Sequence, residues 1–351
     1  MEKKNPNPIK SYYIAYFDIL GYKDFFQDNP DKVSSFLDMI HGGIQGTKSK
    51  ISDINNSVLA ASIASMNIEV RVFSDNVLLC LEELDVKHER VRLLSFMMMV
   101  AEIQRAFITQ WHLFVRGGIT KGMLSINPDY VFGKGLIDAV TMEETAVYPR
   151  IEITNDLIEL LFNVSLYTKE DGEKAIAIEQ HMANGDAVSC EEHNFYMRVW
   201  TAVLNESIFT KLASNLLFLW PDGKRFLSYL FCLDINSFIS PEIKEKILDM
   251  IKNVFPSDYK FFNNDPVDIG GLLKSHKEII EGQLKKYGQN DNIELGDIKT
   301  ADLRERILKK YIWVMAYHNK MCEYYGRIEF KILTKCNCDS RFLKIKIDVL
   351  E

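Results

Sequence analysis

Residues 11–20 form an almost continuous apolar and aromatic run, the signature of a buried strand, and Gly21 ends it. The segment after Gly21, KDFFQDNPDKVSSFLDMIHGGI, has helical spacing, and residues 43–66 mix small and polar side chains as a variable connection does. Two β-rich runs follow at 68–73 and 77–81, separated by Ser74, Asp75 and Asn76, a short polar turn suited to a hairpin. Apolar residues at 93, 94, 97, 98, 100 and 101 then mark a wide helical face, with the methionines there as core filler. LFVRGGITKGMLS reads as a strand, VFGKGLIDAVTMEETAVY as a glycine turn into a helix, and PRIEIT as a further strand. The predicted order over about 11–154 is β-α-β-β-α-β-α-β, an α+β sheet with helices on one face.

Beyond residue 154 the pattern is harder to read. It predicts a helix at 155–163, a polar stretch at 167–195, apolar segments at 196–232, a polar insert at 256–298 and a long helix from about 300 to 325. The end, RIEFKILTKCNCDSRFLKIKIDVLE, has the pattern of a strand, turn, strand hairpin. The expected division is therefore 1–154 as one domain and 155–351 as a mostly helical α/β C-terminal extension with a terminal β-hairpin. No internal repeat or low-complexity linker marks the boundary.

Composition narrows the classes. The 351-residue chain is 47% hydrophobic and 26% charged, an ordinary globular balance. A net charge of −7 gives no global basic surface, so no nucleic-acid partner is expected. Of the six cysteines only Cys336 and Cys338 are close, at a spacing unlike a zinc knuckle, and all are expected to be free thiols in a reducing cytoplasm. The polar start MEKKNPNPIK lacks the apolar core of a signal peptide. The apolar stretches near 91–115 and 199–220 are interrupted by Glu102, Arg105, Glu206 and Lys211, so neither reads as a membrane span.

Against this background Asp18 stands out, a carboxylate inside the apolar run YYIAYFDILGYKDFF. An ionised carboxylate in such a setting needs a pairing charge or a metal, because desolvation otherwise costs several kcal/mol or forces it neutral. Asp75 ends a strand in the same domain, and the two meet at one sheet edge if the first strand lies beside the hairpin. Two convergent carboxylates beside a glycine turn suit Mg²⁺ or Mn²⁺ bound together with substrate phosphates. The residues alone leave a second reading open, with Asp18 as a helix N-cap and Asp75 as an ordinary turn residue. Arg116 lies on a strand where it faces either a ligand or an ion-pair partner, and alternation puts Arg71 with residues 73 and 75 on one side of the hairpin. His112, His276 and His318 lack partners at metal spacing and read as structural. The sequence carries no Walker loop, GxGxxG or GxSxG.

Four ordered blocks, FDILGYKDFF, VFSDNVLLCLE, VRGGITKGML and VFGKGLIDAVTMEETA, resemble the catalytic domain of the class III nucleotidyl cyclases. That resemblance implies a ferredoxin-like βαββαβ core and a head-to-tail homodimer with sites at the interface. It implies that Asp18, Asp75 and the carbonyl of Ile19 hold two divalent ions per site, Mn²⁺ or Mg²⁺, and that Leu20, Gly21 and Tyr22 contact the β- and γ-phosphates. Purine cyclases place an asparagine and an arginine, four residues apart, where this chain has Ile137 and Thr141. Their purine-reading lysine and its acidic partner correspond to Arg71 and Tyr130, so the base or ribose contacts fall to Arg71, Arg116 and Tyr130. The segments RGGITKG, FGKGLIDAVTMEE and YPRIEI resemble the bacterial pyrimidine cyclases of the Pycsar antiphage defence system. This implies a phosphorus-oxygen lyase that makes cyclic UMP or cyclic CMP, uridylate being favoured, for a separately encoded effector. A catalytically degenerate nucleotide sensor and a purine cyclase are the alternatives.

Overall fold

Strand β1 (Lys10–Leu20) buries side chains of both parities, which places it at the centre of the sheet. The computed structural model describes residues 8–32, 66–84, 89–162, 169–184, 186–231, 268–288 and 298–333, with isolated positions 35, 38, 40 and 42. After β1 come α1 (Tyr22–Asp28), the hairpin β2 (Ile68–Phe73) and β3 (Asn76–Glu82), α2 (Glu89–Trp111), β4 (Phe114–Ile126) and β5 (Val131–Phe132). There follow α3 (Lys134–Thr145), β6 (Ile151–Ile153), α4 (Asn155–Phe162), α5 (Lys169–Ala183), α6 (Cys190–Leu216), β7 (Leu217–Leu219) and β8 (Arg225–Leu227). The last helices described are α7 (Ile269–Gly288) and α8 (Ile298–Tyr324). The result is a mixed α/β structure around one mixed sheet, ordered β2-β3-β1-β4-β6-β8-β7, with β5 paired to β4. Only the β4–β6 ladder is parallel among those described.

Helices cover both faces of this sheet, a correction to the one-sided arrangement expected. Tyr13, Ala15, Phe17 and Ile19 of β1 pack with Leu93, Phe96, Met97, Val100 and Phe107 of α2. Tyr12 and Ile14 point the other way, into a smaller core with Leu78, Cys80, Leu124 and Ala139 of α3. A central strand buried on both faces is apolar at every position, so its sequence carries no sign of which side a helix occupies. Glycines let α3 sit low. A Cβ on Gly122 would lie 2.4 Å from Gly135 Cα, and one on Gly118 would lie 2.5 Å from Met142 Cε.

The sheet does not stop at residue 154. Glu152 of β6 pairs with Phe226 of β8, and β7 closes that side, so the boundary expected there falls inside a continuous sheet. Arg150, 3% exposed, fastens the junction: it is 2.7 Å from Glu152 and 2.6 Å from Asp222, with its guanidinium over the rings of Tyr148, Phe226 and Trp313. The Arg150 guanidinium is thus paired and stacked, as its desolvation requires.

Helices α7 and α8 build a second core against this end of the sheet, with Trp313 stacked on Tyr148 at 5.6 Å and Tyr317 accepting from Leu230 N–H at 3.1 Å. Within it His276 Nδ1 and His318 Nδ1 share a hydrogen bond of 3.0 Å, while His318 Nε2 reaches Phe330 O at 3.0 Å. Burial lowers both imidazoles below their ordinary pKa and keeps them neutral, in keeping with structural histidines. The terminal hairpin expected from the sequence starts differently: Ile328–Phe330 is a 3-10 turn. Gly326, at φ +65°, ends α8, and the Asn319 side chain bonds both N–H and C=O of Ile332, taking the place of a strand partner. Residues 334–351, the rest of that hairpin, lie outside those described. Cys80 and Cys322 are buried free thiols; Cys232, Cys336 and Cys338 lie outside the described residues.

Candidate functional site

Strand register brings the two aspartates together. Asp18, third from the end of β1, pairs with Asn76, the first residue of β3, and the Ile19 N–H donates to Asp75 O at 2.9 Å. The two-residue turn between β2 and β3, with Ser74 at φ +57°, thereby holds Asp75 beside the end of β1. Gly21 follows at φ +81°, a left-handed conformation that suits glycine, and α1 starts there without a side-chain cap.

On its other side Asp18 faces Arg116, its cross-strand partner on β4. Arg116 Nε is 3.6 Å from Asp18 Oδ2, too far for a hydrogen bond, and that buried nitrogen has no hydrogen-bond acceptor. The guanidinium is instead committed to α3: Nη2 lies 2.7 Å from Glu143 Oε1, and Nη1 donates to Ala146 O at 3.1 Å. The close seat of α3 on Gly118 and Gly122 is what carries Glu143 to this point.

Burial pushes the Asp18 carboxyl up to about 6; Arg116 opposes this, and Glu143 and Asp75 reinforce it by repulsion. Tyr16, on the same face, has its hydroxyl raised by burial first and then by Glu143, Asp18 and Asp75. Asp18 is thus acted on by two acids, Glu143 and Asp75, and by two cations, Arg116 and Lys310 of α8, with burial the largest influence. Among the described residues no group of three or more His, Cys, Asp or Glu side chains is arranged to hold a metal. Side-chain ligands would therefore be the two aspartates, with backbone oxygen and ligand phosphate completing the shell.

Arg71 shares the sheet face of Asp18, since Phe73 and Asn76 continue the row through Asp18 and Leu78 continues that of Arg71. Its guanidinium donates to Val70 O at 2.9 Å and to Asn127 O at 3.0 Å. Asn127 in turn binds the Tyr130 N–H through Oδ1 at 2.9 Å, so Arg71 and the Tyr130 turn form one unit. Tyr130 is 47% exposed. Ile137 and Thr141 lie on the outer side of α3: Ile137 is 65% exposed and the Thr141 hydroxyl donates to Ile137 O at 2.8 Å.

Sequence reasoning missed Tyr16 and the Glu143 contact to Arg116; Glu143 had a signal, an acid on the inward face of an amphipathic helix. No helix of the described residues is long and apolar enough to cross a membrane.

No protein-family profile matches this sequence, and no curated protein matches it. Among solved structures, the adenylyl cyclase CyaB from P. aeruginosa matches at 15% identity, over 45% of this chain and 83% of that one, with a TM-score of 0.32. That superposition is too loose to transfer a topology or a residue role.

Proposed function

We propose that this chain is a metal-dependent nucleotide cyclase that converts a pyrimidine nucleoside triphosphate, UTP in preference to CTP, to its 3′,5′-cyclic nucleotide and pyrophosphate. The observation that carries the reading is the meeting of Asp18 and Asp75 at one end of adjacent strands, beside the Gly21 turn. The order β2-β3-β1-β4, with a helix between β1 and β2 and another between β3 and β4, supports reading this part as a ferredoxin-like βαββαβ unit and agrees with the class III resemblance of the four sequence blocks.

Asp18, Asp75 and the Ile19 carbonyl would hold Mn²⁺ or Mg²⁺. Bound there, divalent ions supply charge neutralisation for the triphosphate and acidify the ribose 3′-hydroxyl. The chain around Leu20, Gly21 and Tyr22 offers main-chain N–H groups toward the β- and γ-phosphates. The 3′-oxygen attacks the α-phosphorus in line and the bond to pyrophosphate breaks. Arg71, tied to the Tyr130 turn, is suited to donate to a pyrimidine carbonyl, and Arg116 to orient Asp18 and the ribose. A homodimer, a cytoplasmic setting and a separately encoded effector responding to the product in antiphage defence belong to the same proposal.

A nucleotide sensor without turnover is the second reading, favoured by Ile137 and by a Thr141 hydroxyl spent on its own helix. Incubating the purified full chain with each of the four triphosphates and Mn²⁺ separates them, with Asp18→Ala and Asp75→Ala alongside. Cyclic UMP is the expected product, falling by at least about a hundredfold in either variant. A purine product would sink the pyrimidine assignment, and binding without product would favour the sensor.

A further inference from the structure

We propose that Lys310 of α8, far from the other site residues in sequence, is a phosphate-binding residue of the same site. The inference deepens the cyclase reading and rests on it for the identity of the phosphate.

Packing places Lys310 there. Tyr311, the next residue, meets Phe114 edge-on at 5.8 Å, and Phe114 pairs with Leu20 at the point where β1 and β4 end. Asp18 and Arg116 form the cross-strand pair two residues further in. Trp313, stacked on Tyr148, fixes the same helix over the approach to β6. Helix α8 therefore crosses the strand ends that carry the site, and Lys310 lies on it next to the residue that touches them. The ammonium senses the site's charges: Asp18 and Glu143 attract it, while Arg116 and Arg306, one turn earlier on α8, repel it.

Lys310 is half-buried, yet its ammonium is in no hydrogen bond or ion pair with another described side chain. Burial lowers its pKa, with Arg116 adding to the effect, so the fold bears the cost of holding a cation there without a direct partner. Lysine binds phosphate as a mobile point charge and needs no fixed fork, unlike Arg116, which is committed to Glu143 and Ala146. The KYIWVMAYHN segment thus has two tasks: Trp313 and Tyr317 anchor it, and its first residue supplies the cation proposed here.

The test uses the full chain and inorganic tripolyphosphate with Mg²⁺, followed by titration calorimetry, in wild type, Lys310→Met and Lys310→Arg. Lys310→Met should weaken tripolyphosphate binding by about tenfold or more, with Lys310→Arg within about threefold of wild type, because the charge is kept. Equal melting temperatures in the three proteins exclude a merely structural effect. Turnover of UTP by the same proteins should show the loss in KM with Lys310→Arg restoring it. Unchanged tripolyphosphate binding in Lys310→Met, or none in wild type, overturns the assignment even if cyclic product still forms. Binding that depends on Lys310, without cyclic product from any triphosphate, supports it and overturns the cyclase reading instead.

Discussion

Replacing Asp18 by asparagine should stabilise the metal-free protein while removing its response to divalent cations. The Asp18 carboxyl is held at about 6 against an ordinary 3.8, chiefly by burial, with Glu143 and Asp75 contributing repulsion that Arg116 does not cancel. A rise of roughly two pKa units corresponds to about 3 kcal/mol of folding free energy lost when the group is ionised. The sign follows from proton binding. Below about pH 4 the carboxyl is protonated in both folded and unfolded chains and costs nothing. Between about 4 and 6 the folded chain keeps its proton while the unfolded chain releases it, so stability falls as pH rises, and above 6 the full penalty persists. Asparagine carries no charge, and Arg116 retains Glu143 and Ala146 O. The variant should therefore be more stable than wild type by up to about 3 kcal/mol at pH 8 in EDTA, on the order of 5 °C in Tm, and equal to it near pH 4. Added Mn²⁺ should raise the wild-type Tm, by about 2.7 kcal/mol of stability at a hundredfold excess over Kd, and leave the variant nearly unmoved. Calorimetric or fluorescence melts at the two pH values measure both effects. A variant less stable than wild type at pH 8 in EDTA would mean that Asp18 is a structural partner of Arg116, and would falsify the reasoning.

Three further outcomes follow from the same structure. Arg150→Met strips a 3% exposed guanidinium from Glu152 and Asp222 and should cost about 3 kcal/mol in denaturant titration, because Asp222 loses this partner and Glu152, 14% exposed, keeps only Lys224 at 3.4 Å; a loss under 1 kcal/mol would contradict the pairing. Gly122→Ala places a methyl 2.4 Å from Gly135 Cα, so α3 must lift; the expected cost is about 1–3 kcal/mol, with reduced turnover because Glu143 moves from Arg116, and an unaltered variant would show that α3 yields freely. His276 and His318 are held below their ordinary pKa, so stability should fall as pH drops below about 6.5, where the unfolded chain gains protons that the folded chain refuses. The double variant His276→Phe with His318→Gln should lose that slope between pH 7.5 and 5; a slope equal to that of wild type would assign it elsewhere.

The long local patterns were legible. The run over 11–20 became β1, the Ser74 to Asn76 turn became the β2–β3 hairpin, and the expected helix from about 300 to 325 spans Ile298–Tyr324. Even the meeting of Asp18 and Asp75 was foreseeable, since it needed only β1 to lie beside the hairpin. Helices α5 and α7 were hidden because their segments are polar, and their existence depends on a few buried contacts, such as Ala175 and Ile178 on α5. Strands β7 and β8, three residues each, are too short to carry a period.

What the sequence determined by itself is the chemistry on offer: two carboxylates at strand ends, a glycine turn beside them, and arginines on the neighbouring strands. Local alternation and turn residues are enough for that, because each concerns neighbours along the chain. Tertiary structure alone decided how those groups are charged and who surrounds them. Arg116 opposes Asp18 through antiparallel register, Glu143 reaches Arg116 because glycines let α3 close on the sheet, and Lys310 arrives on a helix nearly three hundred residues downstream. Burial and long-range Coulomb interactions depend on distances in space, and no spacing along the chain encodes them.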